Sequence, residues 1–201
     1  MSDEKRRSDQ AKDYPNLASP IQLLAIADVW IFTPRRFEDE RGWFSETFNA
    51  ETLRSALGGA VFVQDNQSLS HVRGTLRGLH FQHPPRAQDK LVRVLRGSIL
   101  DVAVDIRRTS PTFGQWVSAV LSAQNGAQLF VPKGFAHGFV TLEPDTEVLY
   151  KVSDYYSREH EEGIVWDDPS IAIDWTLEPR EISMSERDRA FPSFGALGAH
   201  F

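Results

Sequence analysis

Most of the chain has the hydrophobic pattern of short β-strands. Residues 98–106 alternate strictly, so that Leu100, Val102 and Val104 fall on one face of the predicted strand. Other segments of β-type composition are residues 29–32, 61–63, 91–94, 115–121, 128–131, 139–142 and 148–152. Turn signals such as Asn125-Gly126 separate them at intervals of about 8–12 residues, a spacing typical of sandwiches and barrels. The pattern predicts an all-β jelly roll.

Few helices are expected, and all of them are short and peripheral. Asn49 has the side chain of a helix N-cap, and a helix that begins there is expected to stop at Gly58. Ser185 is the expected cap of a second short helix, in which Asp188 would take the N3 position of a capping box.

Composition and charge narrow the classes of protein. The 201 residues suit one domain, with residues 1–20 as a flexible polar tail and residues 21–201 as the folded domain. A net charge of −6 argues against nucleic-acid binding. The absence of cysteine excludes disulfides and thiolate metal sites and favours a cytoplasmic location. No segment has the pattern of a signal peptide or a membrane helix, so no membrane partner is expected.

The candidate chemistry is concentrated between residues 77 and 93. His80 lies between the apolar Leu79 and Phe81, which suits either a packed core histidine or a base in an apolar pocket. Arg77 and Lys90 place two cations near it in sequence. The residue pattern alone leaves both interpretations of His80 open.

A metal site is the main alternative for a barrel of this kind. Residues 132–137 fit the Pro-x-Gly-x-x-His pattern of metal cupins and place His137 in the barrel. The first metal motif is incomplete, because Gln82 stands where a second histidine is needed and no glutamate lies between His83 and Gly97. Zinc or iron needs at least three nitrogen or oxygen ligands in one place. We therefore expect no metal, and a metal-dependent cupin oxygenase is the alternative from a different class.

Several long motifs of this chain recur together in one known family. They are residues 62–68, 76–82, 90–93, 101–107, 110–114 and 132–138. With these motifs the chain resembles the dTDP-4-dehydrorhamnose 3,5-epimerase family from about Phe37 to Asp188. The resemblance implies a cupin-like jelly-roll barrel. It also implies an epimerase without a cofactor, acting on a dTDP-linked 4-keto-6-deoxyhexose.

The resemblance assigns a role to each of four residues. His80 matches the family's base, Asp188 its carboxylate partner, Lys90 the cation that stabilises an enolate, and Tyr150 the acid. The chemistry is coherent, because a C4 ketone makes the C3 and C5 protons acidic and a positioned donor stabilises the enolate oxygen. Inversion requires a proton from the opposite face of the sugar, for which Tyr156 and His137 are reserve candidates.

Substrate binding is implied for a larger set of residues: Arg41, Phe44, Glu46, Gln64, Asn66, Arg77, His137 and Tyr156. In the family, the segment with the first three comes from the neighbouring subunit. A homodimer with shared active sites is therefore expected. From the residues alone, the same segment is equally well explained as a β-hairpin with an aromatic edge.

Two further functions stay open at this point. The chain could invert only one carbon of a dTDP-linked 4-keto-6-deoxysugar, because the same four residues would serve either reaction. It could also bind a sugar nucleotide without catalysis.

Overall fold

The computed structural model of the protein describes residues 21–201. The described residues form two large antiparallel sheets and one separate hairpin. The strands are β1 (Ile21–Leu23), β2 (Trp30–Phe32), β3 (Phe37–Asp39), β4 (Gly42–Phe44), β5 (Gln64–Ser70), β6 (Leu76–Gln82), β7 (Lys90–Arg96), β8 (Ser98–Asp105), β9 (Trp116–Ser122), β10 (Gln128–Val131), β11 (Phe135–Thr141), β12 (Thr146–Val152) and β13 (Glu161–Gly163). Within residues 21–201, helical structure is limited to α1 (Glu186–Arg189) and two 3₁₀ turns, Pro179–Glu181 and Phe194–Ala196.

The strand order is that of two open sheets. The six-stranded sheet runs β1-β2-β10-β7-β12-β5, and the five-stranded sheet runs β13-β6-β11-β8-β9. The hairpin β3–β4 stands apart from both. The predicted all-β, cupin-like jelly roll with short peripheral helices is confirmed, with the qualification that the sheets do not close into a continuous barrel.

The main hydrophobic core lies between the two sheets. Val92, Leu129 and Val148 from the six-stranded sheet pack in one cluster with Ile99 and Phe139 from the five-stranded sheet. The alternation in β8 sends Ile99 and Ala103 into this cluster. The intervening residues of β8 belong to a second cluster, as predicted. Every residue of β8 is consequently buried.

The outer face of each sheet is also covered. The segment after β13 supplies Ile164, Ile171 and Trp175 to the cluster that contains Leu79 and Phe81. On the six-stranded sheet, residues 48–62 form a similar cover, with Leu53 and Leu57 packed against Trp30 and Phe130. Both faces are therefore apolar, and polar side chains inside the molecule require a separate explanation.

The predicted bounds of individual helices and strands are only partly correct. The helix expected after Asn49 is wrong: its side chain does accept hydrogen bonds from Glu51 and Thr52, but residues 50–59 form turns without a continuous i→i−4 ladder. The strand expected over residues 61–63 is displaced and begins at Gln64. The short helix capped by Ser185 is confirmed as α1.

The predicted flexible tail lies outside the described residues. None of the helices in residues 21–201 is long and apolar enough to span a membrane.

Candidate active site

A polar cavity of about 450 Å³ lies between the two sheets. Its lining includes residues of both sheets and of the C-terminal segment: Ser68, Arg77, His80, Lys90, His137, Tyr150, Arg187 and Asp188. A smaller adjoining pocket of about 130 Å³ shares His80, Lys90 and Tyr150 with it. Titratable groups that lie far apart in sequence are thus brought to one place inside an otherwise apolar sandwich.

The alternation of β6 decides the direction of His80. Leu79 and Phe81 belong to the cluster on the outer face of the five-stranded sheet. Because successive side chains of a strand point to opposite faces, His80 and Gln82 point toward the other sheet. The His80 side chain keeps 30% exposure in the cavity, so it is not a packed core histidine.

Asp188 from α1 pairs with His80. Its Oδ1 lies 2.9 Å from Nε2 of His80, and its Oδ2 accepts a hydrogen bond from the backbone N–H of Gly78. Burial acts to raise the pKa of the Asp188 carboxyl, but the hydrogen bond and charge of His80 and the Gly78 N–H bring that pKa below its ordinary value. An ionised carboxylate can only accept, so Nε2 of His80 carries the proton and Nδ1 carries the lone pair of the neutral ring.

The helix cap and the dyad are compatible uses of the same residues. The Ser185 side chain accepts a hydrogen bond from the backbone N–H of Asp188, as an N-cap should. The Asp188 carboxylate turns toward Gly78 and His80 rather than completing a capping box. The cap therefore fixes the first turn of α1, and with it the position of the carboxylate.

Lys90 is a buried cation beside this dyad. Its Nζ donates to the backbone carbonyl of His80 at 3.2 Å, and only 8% of the residue is exposed. Burial lowers the pKa of Lys90 to about 8, although the negative charges of Asp101 and Glu161 act in the opposite direction. An ammonium group with so few partners in the protein is available to a negative oxygen of a ligand.

Tyr150 lines the same cavity from the other sheet. It lies on β12, while His80 lies on β6. Burial raises the pKa of the Tyr150 phenol, so the hydroxyl stays protonated at neutral pH. The imidazole of His80 and the phenol of Tyr150 therefore reach the same cavity from different sheets.

His137 forms a second histidine–aspartate pair. It is the cross-strand partner of His80, and its Nε2 lies 2.6 Å from Oδ1 of the fully buried Asp101. Burial lowers the pKa of His137, against the effect of the Asp101 charge. A side chain at Gly78 would clash, because its Cβ would lie 2.6 Å from Cα of Gly138. Glycine there allows β6 and β11 to approach closely beside both histidines.

The smaller pocket contains three of the predicted substrate-binding residues. Gln64 and Asn66 lie on β5 and are joined by a 2.8 Å hydrogen bond between their side chains. The Tyr156 hydroxyl donates to Glu161, and this hydrogen bond raises the pKa of the phenol. The Tyr156 residue remains 54% exposed, so most of its ring is accessible.

Arg77, another of the predicted substrate-binding residues, lines the larger cavity. Its Nε donates to the hydroxyl of Ser70 and one terminal nitrogen donates to the carbonyl of Leu69. These bonds hold the guanidinium against the end of β5, at the lining of the cavity, where it suits an anionic group of a ligand.

Three predicted binding residues do not line the cavity of the single chain. Arg41 pairs with Asp39 in the β3–β4 hairpin, and Phe44 on the same hairpin is 59% exposed. Glu46 follows the hairpin and is also absent from the lining of both pockets. The structure of one chain therefore leaves their predicted role untested.

Sequence reasoning missed Glu161, Arg187 and Asp101 as residues of the site. Glu161 accepts hydrogen bonds from Tyr156 and Arg187, and Arg187 precedes Asp188 on α1. Asp101 lies between apolar residues of a strand that alternates with two buried faces, which was a usable signal, since a buried carboxylate needs a partner. Glu161 had no comparable signal, because it lies in a charged stretch of the chain.

The residues considered for a metal do not form a metal site among residues 21–201. No group of three or more histidine or acidic side chains in this range has a suitable arrangement. His83 stacks on His200 with 4.6 Å between ring centroids, and the amide of Gln82 binds backbone groups.

Comparison with known proteins agrees with this geometry. The family model described as dTDP-4-dehydrorhamnose 3,5-epimerase matches residues 23–196. The chain belongs to this family. A dTDP-4-dehydrorhamnose 3,5-epimerase of Sinorhizobium fredii is 53% identical over 180 residues, which cover 90% of this chain and 92% of the relative.

Solved structures of the family have the same fold. The dTDP-6-deoxy-D-glucose-3,5-epimerase of Legionella pneumophila, in complex with dTDP-4-keto-L-rhamnose, superimposes with a TM-score of 0.85 and is 45% identical; the match covers 90% of this chain and 95% of that one. A 3'-monoepimerase of Streptomyces bikiniensis, in complex with dTDP-quinovose, has a TM-score of 0.79 and 33% identity, with 87% of each chain covered. The solved structure at 33% identity is thus named a monoepimerase, whereas the two proteins at 45% and 53% identity are named 3,5-epimerases.

Proposed function

We propose that this family member inverts C3 and C5 of dTDP-4-dehydro-6-deoxy-D-glucose and so produces dTDP-4-dehydro-L-rhamnose for dTDP-L-rhamnose biosynthesis. The observation that carries the proposal is the His80–Asp188 pair, which shares one cavity with Lys90 and Tyr150. Double epimerases are about half identical to this chain, whereas the monoepimerase is about one-third identical.

Deprotonation is assigned to His80. Asp188 accepts from Nε2, so Nδ1 is the nitrogen that takes the proton from carbon. The imidazolium that forms is stabilised by the adjacent carboxylate, whose pKa is already below its ordinary value. The electrons released from the C–H bond form the enolate through the C4 carbonyl, whose oxygen becomes negative.

Lys90 is the group that stabilises this oxygen. The residue is buried, and within residues 21–201 its ammonium group makes one hydrogen bond, to the backbone carbonyl of His80. One oriented donor of this kind lowers the barrier by about 2.7–4 kcal/mol in other enzymes. Reprotonation of the carbanion comes from Tyr150. Its raised pKa keeps the phenol protonated until the proton is transferred to carbon.

Binding of the nucleotide is assigned to the groups around the two pockets. Arg77 supplies a cation for the diphosphate, and Gln64 and Asn66 supply amides. The exposed ring of Tyr156 offers a flat face to the thymine base. His137, paired with Asp101, presents its second ring nitrogen to the sugar.

The proposal includes a cytoplasmic homodimer in which the partner's hairpin completes each site. Trp43 and Phe44 are more than half exposed on β4, which suits a contact with a second copy. Mixing Arg41→Ala and His80→Ala chains under exchange tests this sharing. In an equal mixture, about half of the dimers contain one chain of each kind, and each of these has one intact site. About one quarter of the wild-type activity should therefore be restored. No restoration would contradict shared sites.

Identification of the product tests the proposed reaction. The protein is incubated with dTDP-4-dehydro-6-deoxy-D-glucose, and the configuration of C3 and C5 is followed by NMR. Inversion at both carbons is expected. Inversion at a single carbon would favour the monoepimerase alternative, and an unchanged substrate would overturn the epimerase function.

A further inference from the structure

The amide of Gln82 is fully committed to the backbone of two loops. Only 4% of Gln82 is exposed, and it lies two residues after His80 on the same face of β6. Its Nε2 donates to the carbonyls of Arg86 at 2.7 Å and Tyr155 at 3.2 Å. Its Oε1 accepts from the backbone N–H of Ser157 at 2.7 Å. Both amide hydrogens and the carbonyl oxygen thus have partners in irregular backbone.

One of the two loops, residues 153–160, connects β12 to β13 and has no β-ladder of its own. Several of its polar backbone groups are satisfied by glutamine side chains. Gln64 accepts from the N–H of Tyr156, and Gln88 donates to the carbonyl of Asp154. Gln82 holds the residues on both sides of Tyr156, so it is the central element of this clamp.

The clamp controls an exposed aromatic ring at the candidate nucleotide pocket. Tyr156 lines the smaller pocket together with Gln82, Gln88 and Gln64, and its hydroxyl is fixed on Glu161. A ring that is 54% exposed gains little orientation from packing. Its position therefore depends on the hydrogen bonds that hold its backbone.

We infer that Gln82 is a positioning residue, which fixes the backbone around Tyr156 and thereby presents the Tyr156 ring to the base of the nucleotide. The inference rests on the proposed function, because it assumes that the pocket binds dTDP. The inference assigns a role to Gln82, which occupies the position of a histidine ligand in metal cupins. Pre-ordering of the loop lowers the entropic cost of binding.

Gln82→Met is the variant that tests this role, because methionine is similar in volume but removes all three hydrogen bonds. The dissociation constant of dTDP and the KM of the sugar nucleotide should rise about tenfold, as expected for two or three lost hydrogen bonds of ordinary strength. The kcat should change less than about threefold, because the dyad and Lys90 are untouched.

Gln128→Met is the matched control. Gln128 is also a buried strand glutamine, 2% exposed, whose amide donates to the carbonyl of Thr47, and it lines neither pocket. Its replacement should lower the melting temperature while leaving the affinity for dTDP unchanged. An equal loss of dTDP affinity in both variants would show a general structural effect and overturn the inference.

A double-mutant cycle with Tyr156→Ala separates positioning from other effects. If Gln82 acts through Tyr156, then Gln82→Met should change dTDP affinity by less than about twofold in the Tyr156→Ala background. A full tenfold loss in that background would overturn the inference.

If Gln82→Met does not fold, Gln82→Glu takes its place. The glutamate keeps the hydrogen bond accepted from Ser157 and loses both donated hydrogen bonds. A dTDP affinity equal to wild type in Gln82→Glu would contradict the clamp. Failure of the wild-type protein to bind dTDP would instead overturn the proposed function.

Discussion

The ring of His80 and the carboxylate of Asp188 are 2.9 Å apart, although 108 residues separate them in the sequence. Strand β6 provides the first and the N-terminal turn of α1 provides the second. Because the carboxylate also accepts from the N–H of Gly78, its orientation is fixed by the same strand that carries the base. The pairing leaves Nδ1 of His80 to act on the substrate.

Asp188→Asn tests the dyad. The substitution keeps the shape of the side chain but removes the charge that stabilises an imidazolium and fixes the tautomer. The rate of solvent deuterium incorporation into the sugar should fall by about 10²–10⁴, the usual contribution of general acid–base catalysis. Calorimetry should show dTDP binding close to wild type. His80→Ala serves as the reference for a site without a base, and an Asp188→Asn rate equal to wild type would remove the carboxylate from the mechanism.

Lys90→Met should lower the activity and raise the stability of the protein. Loss of the donor at the enolate oxygen should lower kcat by about 10²–10³. The same change should raise the free energy of unfolding below pH 8, because burial has lowered the lysine pKa from 10.5 to about 8. That shift corresponds to an upper bound of about 3 kcal/mol. Denaturant melts at pH 7 measure the gain, and a variant that is both inactive and destabilised would contradict this account of Lys90.

The pH dependence of kcat/KM should have a basic limb set by Lys90. The ammonium form stabilises the enolate, so activity should decline as the pH rises through about 8. Stability should move in the opposite direction. The folded state binds fewer protons than the unfolded state between pH 8 and 10.5, so the destabilisation caused by the buried ammonium decreases and the stability of the protein rises across that window.

Lys90→Arg is the control for the pH profile. A guanidinium stays protonated across this range, so the decline near pH 8 should disappear from whatever activity the variant retains. Persistence of the same basic limb in Lys90→Arg would assign it to another group.

Tyr150→Phe should uncouple proton exchange from inversion. His80 and Lys90 remain able to form the enolate, and His80 can return a solvent-derived proton to the face from which it was taken. The variant should therefore incorporate deuterium with retained configuration, while the yield of inverted sugar falls. NMR of the recovered sugar distinguishes the two results. Undiminished inversion would transfer the acid role to Tyr156 or His137.

The sequence predicts the scaffold better than the site. Strict alternation in β8 reflects two covered faces, and the structure confirms it. The predicted strand over residues 61–63 does not extend over β5, because the inward residues of β5, Gln64, Asn66 and Ser68, line the cavities and are polar. A functional surface therefore removes the hydrophobic pattern on which strand prediction depends.

The contacts between residues of the site could not be predicted from the local sequence around each residue. The pattern Leu79-His80-Phe81 shows that the histidine faces away from its neighbours, but not that a cavity lies on that side. Asp188 has an equally good local explanation as part of a helix cap, and only the resemblance to a family assigned it to His80. Asn49 shows the reverse case, since its capping bonds form but no regular helix follows.

Exchange of the C3 and C5 protons in deuterated water tests the central claim most directly. The wild-type protein is incubated with dTDP-4-dehydro-6-deoxy-D-glucose, and both positions are followed by NMR, with His80→Ala in parallel. The account predicts deuterium at C3 and C5 with the wild-type protein and at neither position with His80→Ala. Exchange at only one carbon, or equal exchange by His80→Ala, would contradict it.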